Sequence, residues 1–377
     1  FQEPTYQAKY PPGQGAFLAL GRKLGHPIIG VWISLALACG AVMWMLQGVF
    51  PPRWALLGGL IVALNPNLAH WWGMSYWGGA VAMLGGALFF GALFRLQKRL
   101  RVSYALLMGA GILILANSRP FEGFLTCLLS LPFFVVTVLV PGIRKGRLKA
   151  VALNVVVPLA ATSVILAAWV LYYDYRLTGD PLTFYYTNWD ARESTIALVK
   201  GYRGSIHLTV LQKYRRMWTF FVGPVLSFAA LGLWSVFRRR NLLFALGVVT
   251  VLSVISTRRT PGWPHYVAPV TCLIYALCLQ GFVGISRIRP RGRRWGALVT
   301  TILVLLYFAN AAYLTAEKLQ FGERRRWAHV RADMESWLAA QGRTHLVLVS
   351  YGDDHLRSRE WVYNGAEIDS QEVVWAR

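Results

Sequence analysis

Two short motifs place charged side chains beside proline within otherwise apolar sequence. Segment 117–123 holds Arg119 and Glu122 three residues apart, and segment 258–262 begins with Arg258 and Arg259. A guanidinium can bind phosphate through paired N–H donors, and a carboxylate can take the proton of a hydroxyl as a general base. The residue types therefore indicate phosphate binding by the three arginines and a base at Glu122. A structural Arg119–Glu122 ion pair is the alternative, because charges at an apolar boundary are costly unless paired or hydrated.

Two further segments carry candidates for binding a phosphate. Lys9 and Tyr10 precede Pro11-Pro12-Gly13, where prolines stiffen the chain before a short helix-like run. A lysine held at a membrane surface could contact a lipid phosphate, although Lys and Tyr also serve as interfacial anchors. His265 follows the Thr260-Pro261-Gly262 turn and is a further candidate for binding the phosphate, together with Arg258 and Arg259.

The stretch 70–77 is dense in aromatic residues. Trp72, Tyr76 and Trp77 could stack on a sugar ring, whose C–H face suits an aromatic plane. The alternative is an aromatic belt, since Trp and Tyr are enriched at membrane–water interfaces.

The composition decides which class of protein must position these residues. Of 377 residues 56% are apolar and 15% charged, and the mean hydropathy is +0.44. A soluble domain is about 25% charged, so a soluble globular enzyme and a disordered chain are both excluded. The net charge of +23 would suggest nucleic acid in a soluble protein. Here the cations lie in short loops between apolar runs, and no nucleic-acid partner is predicted.

The apolar runs predict an all-α polytopic membrane protein. About 20 apolar residues are needed to cross a bilayer as a helix. Ten intervals qualify, with 54–70, 103–117 and 241–257 the shortest: 27–49, 54–70, 76–94, 103–117, 121–141, 150–173, 217–237, 241–257, 265–286 and 295–316. The small residues of 76–94 predict close packing against another helix.

The loops divide sharply by charge. Five short loops, around 53, 95–101, 144–149, 238–240 and 287–294, hold 17 cations, whereas the short loops 71–75, 118–120 and 258–264 hold three. The positive-inside rule assigns the first group to the cytoplasm. Two groups of helices then span the membrane, six in 27–173 and four in 217–316. Three segments face outward: 1–26, the long loop 174–216 and the tail 317–377. The sequence thus predicts a plasma-membrane protein whose chemistry lies on its outer face.

The tail 317–377 predicts a small α/β appendage. An amphipathic helix around 327–338 precedes Leu346 to Val349, which has the pattern of a buried strand, and two shorter β-like runs at 361–363 and 373–375. Asp353, Asp354 and His355 form a turn that solvation explains better than a metal. The four cysteines fit small buried hydrophobes. No metal or cofactor is predicted.

On these residues the chain resembles the GT-C superfamily of membrane glycosyltransferases. The similarity is carried by ten or more spans, Tyr10 to Gly13 in a juxtamembrane segment, and an outer C-terminal appendage. It is greatest for the dolichyl-phosphate-mannose and bacterial lipid-A or core-sugar transferase branch. Segments 4–15, 117–123 and 360–364 also resemble a group of largely uncharacterised bacterial membrane proteins related to it.

The resemblance implies inverting transfer of a sugar from a polyprenyl-phosphate carrier to a lipid, glycan or protein hydroxyl. It implies cations that hold the phosphate and a carboxylate base in the first outer loop, a region expected before Phe1. Glu122 is then a substitute for that base. Two alternatives stay open: a lipid or polymer transporter, which needs a polar path through the bilayer, and a non-catalytic scaffold with the same fold.

Overall fold

The computed structural model describes residues 10–76, 79–183, 208–260, 262–322, 326–352, 361–365 and 367–377. The chain forms two compact units, Phe1–Ala311 and Ala312–Arg377.

The first unit is entirely helical in its described residues. Its elements are α1 (Pro12–Lys23), α2 (Pro27–Gln47), α3 (Pro52–Ala63), a π-helical turn (Leu68–Trp72), α4 (Gly79–Leu96), α5 (Val102–Ala116), α6 (Pro120–Arg144), α7 (Leu148–Thr178), α8 (Val210–Phe221), α9 (Gly223–Arg238), α10 (Arg240–Arg259), a 3-10 turn (Pro264–Tyr266), α11 (Ala268–Ser286) and α12 (Trp295–Gly322), which continues into the second unit.

Each of the ten predicted intervals coincides with a helix or a helix pair. Seven helices in the described chain are long and apolar enough to cross a membrane, namely α2, α4, α6, α7, α10, α11 and α12. Helices α3 and α5 are apolar but shorter, and α8 with α9 passes the same test only as a bent pair. The prediction of a polytopic helical membrane protein is confirmed.

The interval 217–237 differs from the straight span that its apolarity predicts. Helices α8 and α9 meet at an angle of 100°. The bend lies at Gly223, whose φ of +62° is left-handed, and Pro224 follows within the first turn of α9. Helix α8 begins earlier than predicted, because Thr209 and Gln212 form a capping box. The early start of α8 shortens the predicted loop 174–216 at its C-terminal end. Helix α7 shortens it at the other end, because it continues to Thr178.

Helices α4 and α11 form the centre of the first unit. In each, 89% of the membrane-spanning window is buried inside the protein. A side chain added at Gly86 of α4 would fall on the Pro269 carbonyl of α11, and one at Gly85 would lie 3.1 Å from the Gly111 carbonyl of α5. The close helix contact predicted from the small residues of 76–94 is confirmed.

Hydrogen bonds show which loops share an end of the bundle. Lys98 donates to the Gly48 carbonyl at 2.6 Å and Arg239 to the Val49 carbonyl at 3.4 Å, which brings three of the basic loops together. At the other end, the Gly13 N–H donates to the Asn117 carbonyl at 2.7 Å. Asn67 there donates to the Thr219 carbonyl at 3.1 Å. The two ends agree with the two groups of loops that the charge pattern separates.

The second unit contains α13 (Arg326–Ala339), β1 (His345–Leu348) and β2 (Val373–Ala376). The strands are parallel, with His345 opposite Val373 and Leu348 opposite Ala376. A strand is present at His345–Leu348, close to the predicted Leu346 to Val349, but the prediction that it is buried is wrong, because Leu346 and Leu348 are mostly exposed. The buried strand is β2, where Trp375 is 1% exposed. Alternation along each strand explains this, because successive side chains point to opposite faces.

Segment 361–363 is irregular, although its residues favour a strand. Its backbone is held by Arg331 of α13, which donates to the carbonyls of Trp361 and Tyr363, each at 2.8 Å. The same guanidinium pairs with Glu335 at 2.6 Å and lies 4.5 Å from the ring centroid of Trp375. One partly buried arginine therefore satisfies the carbonyls that a strand partner would otherwise bind.

Candidate functional site

Arg119 and Glu122 lie where helix α6 begins. Arg119 is the N-cap, Pro120 follows it, and Glu122 is in the first turn. Proline suits this position because its fixed φ matches the helix and its missing N–H has no acceptor there. A carboxylate in the first turn is favoured by the helix dipole. The chain thus fixes a cation and a carboxylate beside each other before any tertiary contact is made.

Burial makes this pair chemically unusual. Glu122 is 7% exposed, and its carboxylate lies close enough to Arg119 for their charges to interact. The Nε of Arg119 is buried and has no hydrogen-bond partner in the protein. A buried donor without an acceptor costs about 1–3 kcal/mol, and an anion beside Arg119 would remove that cost.

Tyr266 and Tyr10 join this pair from distant parts of the chain. The guanidinium carbon of Arg119 is 5.0 Å from the Tyr266 ring centroid. Burial raises the pKa of the Tyr266 hydroxyl, and the positive charge of Arg119 opposes that rise. Tyr10 and Glu122 are both near enough to act electrostatically on the same hydroxyl. We call Tyr10, Arg119, Glu122, His265 and Tyr266 the Arg119 cluster.

His265 is buried within the Arg119 cluster, at 6% exposed. Its ring centroid is 4.6 Å from that of Tyr266. Burial first, and the charge of Arg119 second, lower the pKa of the imidazole to about 3. His265 stays a candidate for phosphate binding, and near neutral pH its uncharged ring can offer a hydrogen bond but not a positive charge.

A row of stacked rings connects the Arg119 cluster to helix α8. The rings of Trp263 and His265 are nearly parallel, with centroids 6.5 Å apart. Arg216 of α8 lies over Trp263 at 4.6 Å from its centroid, and Lys213 donates to the Thr257 carbonyl at 3.0 Å. Lys213 and Arg216 were not among the predicted site residues. The Thr209–Gln212 capping box and the amphipathic pattern of 210–221 are the signals that would have placed them on a helix.

Asn117 ties the juxtamembrane segment to the turn before α6. Its carbonyl accepts the Gly13 N–H at 2.7 Å, and its side-chain oxygen accepts the Trp169 indole N–H at 2.6 Å. A Cβ at Gly13 would lie 2.6 Å from the Asn117 carbonyl oxygen, so the approach requires glycine. This contact fixes the position of the start of α1, and of Tyr10 just before it, relative to Arg119.

The remaining predicted site residues have different fates. Tyr10 is 60% exposed, and Arg258 is exposed near the end of α10. Tyr76 is 48% exposed and stays a candidate for stacking. Lys9, Trp77 and the turn Asp353 to His355 lie outside the described residues, as does the side chain of Arg259.

Trp72 belongs to the core instead of an open stacking surface. It is 3% exposed, and its ring packs against Phe220 and Phe221, with centroids 5.4 and 6.0 Å away. A side chain at Gly79 would overlap the same ring. The role predicted for Trp72 therefore gives way to packing between the π-helical turn and α8.

No protein-family model matches the sequence, and no curated protein matches it. Within the described ranges, no group of three or more His, Cys, Asp and Glu side chains is arranged to hold a metal ion.

Proposed function

We propose that the protein is an integral membrane glycosyltransferase that moves a sugar from a polyprenyl-phosphate carrier to a hydroxyl of a lipid, glycan or protein. The Arg119 cluster is the proposed site. The observation that carries the proposal is the half-buried Arg119, whose buried Nε has no hydrogen-bond partner in the described protein, next to the buried carboxylate of Glu122. A cation able to bind a phosphate and a carboxylate able to take a proton are the two groups that this transfer needs.

In the proposed reaction, the acceptor oxygen attacks the anomeric carbon of the sugar from the side opposite the carrier. The bond from that carbon to the phosphate oxygen breaks, and the carrier phosphate leaves with the electron pair. Arg119 stabilises the charge that develops on this oxygen. Glu122 takes the proton of the acceptor hydroxyl. Attack from the opposite side inverts the configuration at the anomeric carbon.

The outer face of the plasma membrane is the proposed location of the site. The Arg119 cluster lies at the end of the bundle opposite the three basic loops that meet near α2, and cations accumulate on cytoplasmic loops. Labelling in intact cells with an impermeant maleimide tests this. Tyr10→Cys should be labelled and Arg99→Cys should not, and the reverse pattern would put the site in the cytoplasm.

The activity is tested by transfer from a panel of polyprenyl-phosphate sugars in membranes that contain the protein. Arg119→Ala should lower kcat by about 10²–10³, the effect of removing one donor that stabilises a developing oxyanion. Glu122→Gln keeps the size of the side chain and removes the base, so it should also be inactive. Arg258→Ala probes the exposed cation that the sequence predicts to bind phosphate.

Arg101→Ala is the matched control, because it removes an exposed arginine next to a basic loop at the other end of the bundle. Its turnover should equal that of the unaltered protein. Wild-type turnover in both Arg119→Ala and Glu122→Gln would refute the assignment of this site.

A further inference from the structure

Three cations converge on the last turn of α2, at the end of the bundle opposite the Arg119 cluster. Arg95 donates to the Trp44 carbonyl at 2.6 Å, and Lys98 donates to the Gly48 carbonyl at 2.6 Å. Arg239, which comes from a different loop, donates to the Val49 carbonyl at 3.4 Å. Trp44 lies in the last turn of α2 and Gly48 is its C-cap, so their carbonyls lie at the negative end of the helix dipole, which is equivalent to about half a charge. Val49 directly follows this cap.

A fourth cation lies near Arg239. Arg287 follows α11 and is exposed. Its positive charge is close enough to Arg239 to lower the pKa of that guanidinium, in addition to the effect of burial. Two cations held near each other repel, so this arrangement is more favourable with an anion between them than without one.

The elements that supply these cations contain no acidic residue. The sequence has no Asp or Glu between positions 4 and 121 or between 223 and 316. Four full positive charges therefore face the partial charge of one helix end. Each arginine has five N–H donors, and the bond to the Val49 carbonyl occupies one donor of Arg239. Charge and donors are both in excess of what the neighbouring protein groups supply.

Aromatic rings around the cluster mark the depth of lipid headgroups. The guanidinium carbon of Arg95 lies 4.0 Å from the ring centroid of Trp44. That of the neighbouring Arg238 lies 4.9 Å from Trp234, which is 44% exposed. Tryptophan is concentrated at the membrane–water interface, where its apolar ring meets lipid and its N–H meets water. The exposed Trp234 beside Arg238 therefore favours a headgroup depth for this end of the bundle.

We propose that Arg95, Lys98, Arg239 and Arg287 form a binding site for the headgroup phosphate of an anionic phospholipid. Lys98 and Arg287 are exposed, so a phosphate can reach them from the bilayer surface, and Lys98 keeps two N–H donors besides the one bonded to the Gly48 carbonyl. Arg95 and Arg239 are held by the carbonyls of Trp44 and Val49. The bound lipid joins the ends of α2, α4 and α11 to the start of α10. It stabilises the bundle independently of whether the Arg119 cluster transfers sugars.

The test uses the full chain in phosphatidylcholine vesicles that contain an increasing fraction of phosphatidylglycerol. The thermal unfolding midpoint should rise and saturate with that fraction. A direct hydrogen-bonded contact with the phosphate that adds about 1 kcal/mol per cation to the screened attraction of a surface charge corresponds to about fivefold in binding. The double variant Arg239→Gln/Arg287→Gln should therefore need a phosphatidylglycerol fraction roughly 25-fold higher for half of the effect, or show no saturation.

Arg293→Gln/Arg294→Gln is the matched control, since it removes the same charge from exposed positions in the loop that follows Arg287. It should shift the half-saturating fraction less than about twofold. Equal shifts in the two double variants would overturn the site in favour of general surface charge. No effect of phosphatidylglycerol on the unaltered protein would overturn it as well.

Two further arms keep the outcome decisive. If Arg239→Gln impairs folding, Arg287→Gln alone compared with Arg293→Gln alone gives the same contrast, with an expected shift of about fivefold. Inorganic phosphate added to pure phosphatidylcholine vesicles tests the other source of the same anion. Full stabilisation by inorganic phosphate would show a site for the free ion and overturn the lipid assignment.

Discussion

Replacing Asn65 by alanine should destabilise the first unit more than any loss of apolar contact at that position would explain. Asn65 is 4% exposed and lies between α3 and the π-helical turn. Its amide donates to the Tyr275 hydroxyl at 2.9 Å. Its side-chain oxygen accepts the N–H groups of Asn67 at 2.9 Å and Leu68 at 3.2 Å. One side chain therefore starts the π-helical turn and connects it to central helix α11.

The magnitude follows from the groups left behind. Asn65→Ala leaves two backbone N–H groups and the buried Tyr275 hydroxyl without this partner. Each buried group that loses its partner costs about 1–3 kcal/mol, and partial relaxation makes about 3–5 kcal/mol a reasonable total. In a protein of this size 1 kcal/mol corresponds to about 2 °C in the unfolding midpoint, so the midpoint should fall by about 6–10 °C.

A double-mutant cycle separates the Tyr275 bond from the backbone caps. Tyr275→Phe should be milder than Asn65→Ala, because the Asn65 amide also reaches the Phe221 carbonyl at 3.5 Å. The double variant should be less destabilised than the sum of the two singles, by about 1 kcal/mol. Thermal unfolding in detergent micelles, followed by circular dichroism, measures all four proteins.

Asn154→Ala is the control, since Asn154 makes one hydrogen bond, to the Leu100 carbonyl at 3.1 Å, from a half-buried position. It should cost about 1 kcal/mol. A midpoint for Asn65→Ala no lower than that of Asn154→Ala, or strict additivity in the cycle, would refute the reasoning.

Two further predictions concern the Arg119 cluster. Because the pKa of His265 falls from 6.5 unfolded to about 3 folded, the unfolded chain binds a proton that the folded chain does not. The free energy of unfolding should thus be independent of His265 above about pH 6.5 and fall below that pH, by about 2 kcal/mol at pH 5. Unfolding measured as a function of pH should show this loss in the unaltered protein and not in His265→Asn. Parallel curves for the two proteins would contradict the prediction. Gly13→Ala, whose new Cβ would lie 2.6 Å from the Asn117 oxygen, should lower the unfolding midpoint by about 2–4 °C. Gly15→Ala, which has open space around it inside α1, should leave the midpoint unchanged or raise it slightly, because alanine favours a helix over glycine. Equal effects of the two variants would argue against a close Gly13–Asn117 approach.

Helix positions were predictable because a membrane-spanning helix needs only a long apolar run, which is a local property of the sequence. The bend between α8 and α9 is also encoded locally, by Gly223-Pro224, and the start of α8 is encoded by the Thr209–Gln212 cap. A search for apolar runs alone detects neither feature. The capping pattern at Thr209 and Gln212 predicts a helix that begins before 217, and such a helix includes Lys213 and Arg216.

The site was only half predictable, for a different reason. Arg119 and Glu122 are neighbours in sequence, and one helix start brings them together. Tyr266 lies far along the chain from both, and its contact with Arg119 depends on how α6 packs beside the turn before α11. Trp72 shows the converse: a tryptophan that packs in the core and one that faces a ligand have the same residue type, and only burial distinguishes them.

Two prolines mark the helix starts that meet at the Arg119 end of the bundle. Pro12 begins α1 and Pro120 begins α6, and the Gly13–Asn117 hydrogen bond holds these two helix starts against each other. The first N–H groups of each helix have no helical acceptor, and each dipole presents its positive end there. Arg119 lies at the start of α6, where the positive end of that helix dipole adds to the charge of the guanidinium and favours an anion. Arg119→Lys keeps the positive charge and loses the bidentate geometry, so in the transfer assay it should retain more activity than Arg119→Ala, and equal losses in the two variants would contradict a contribution of charge.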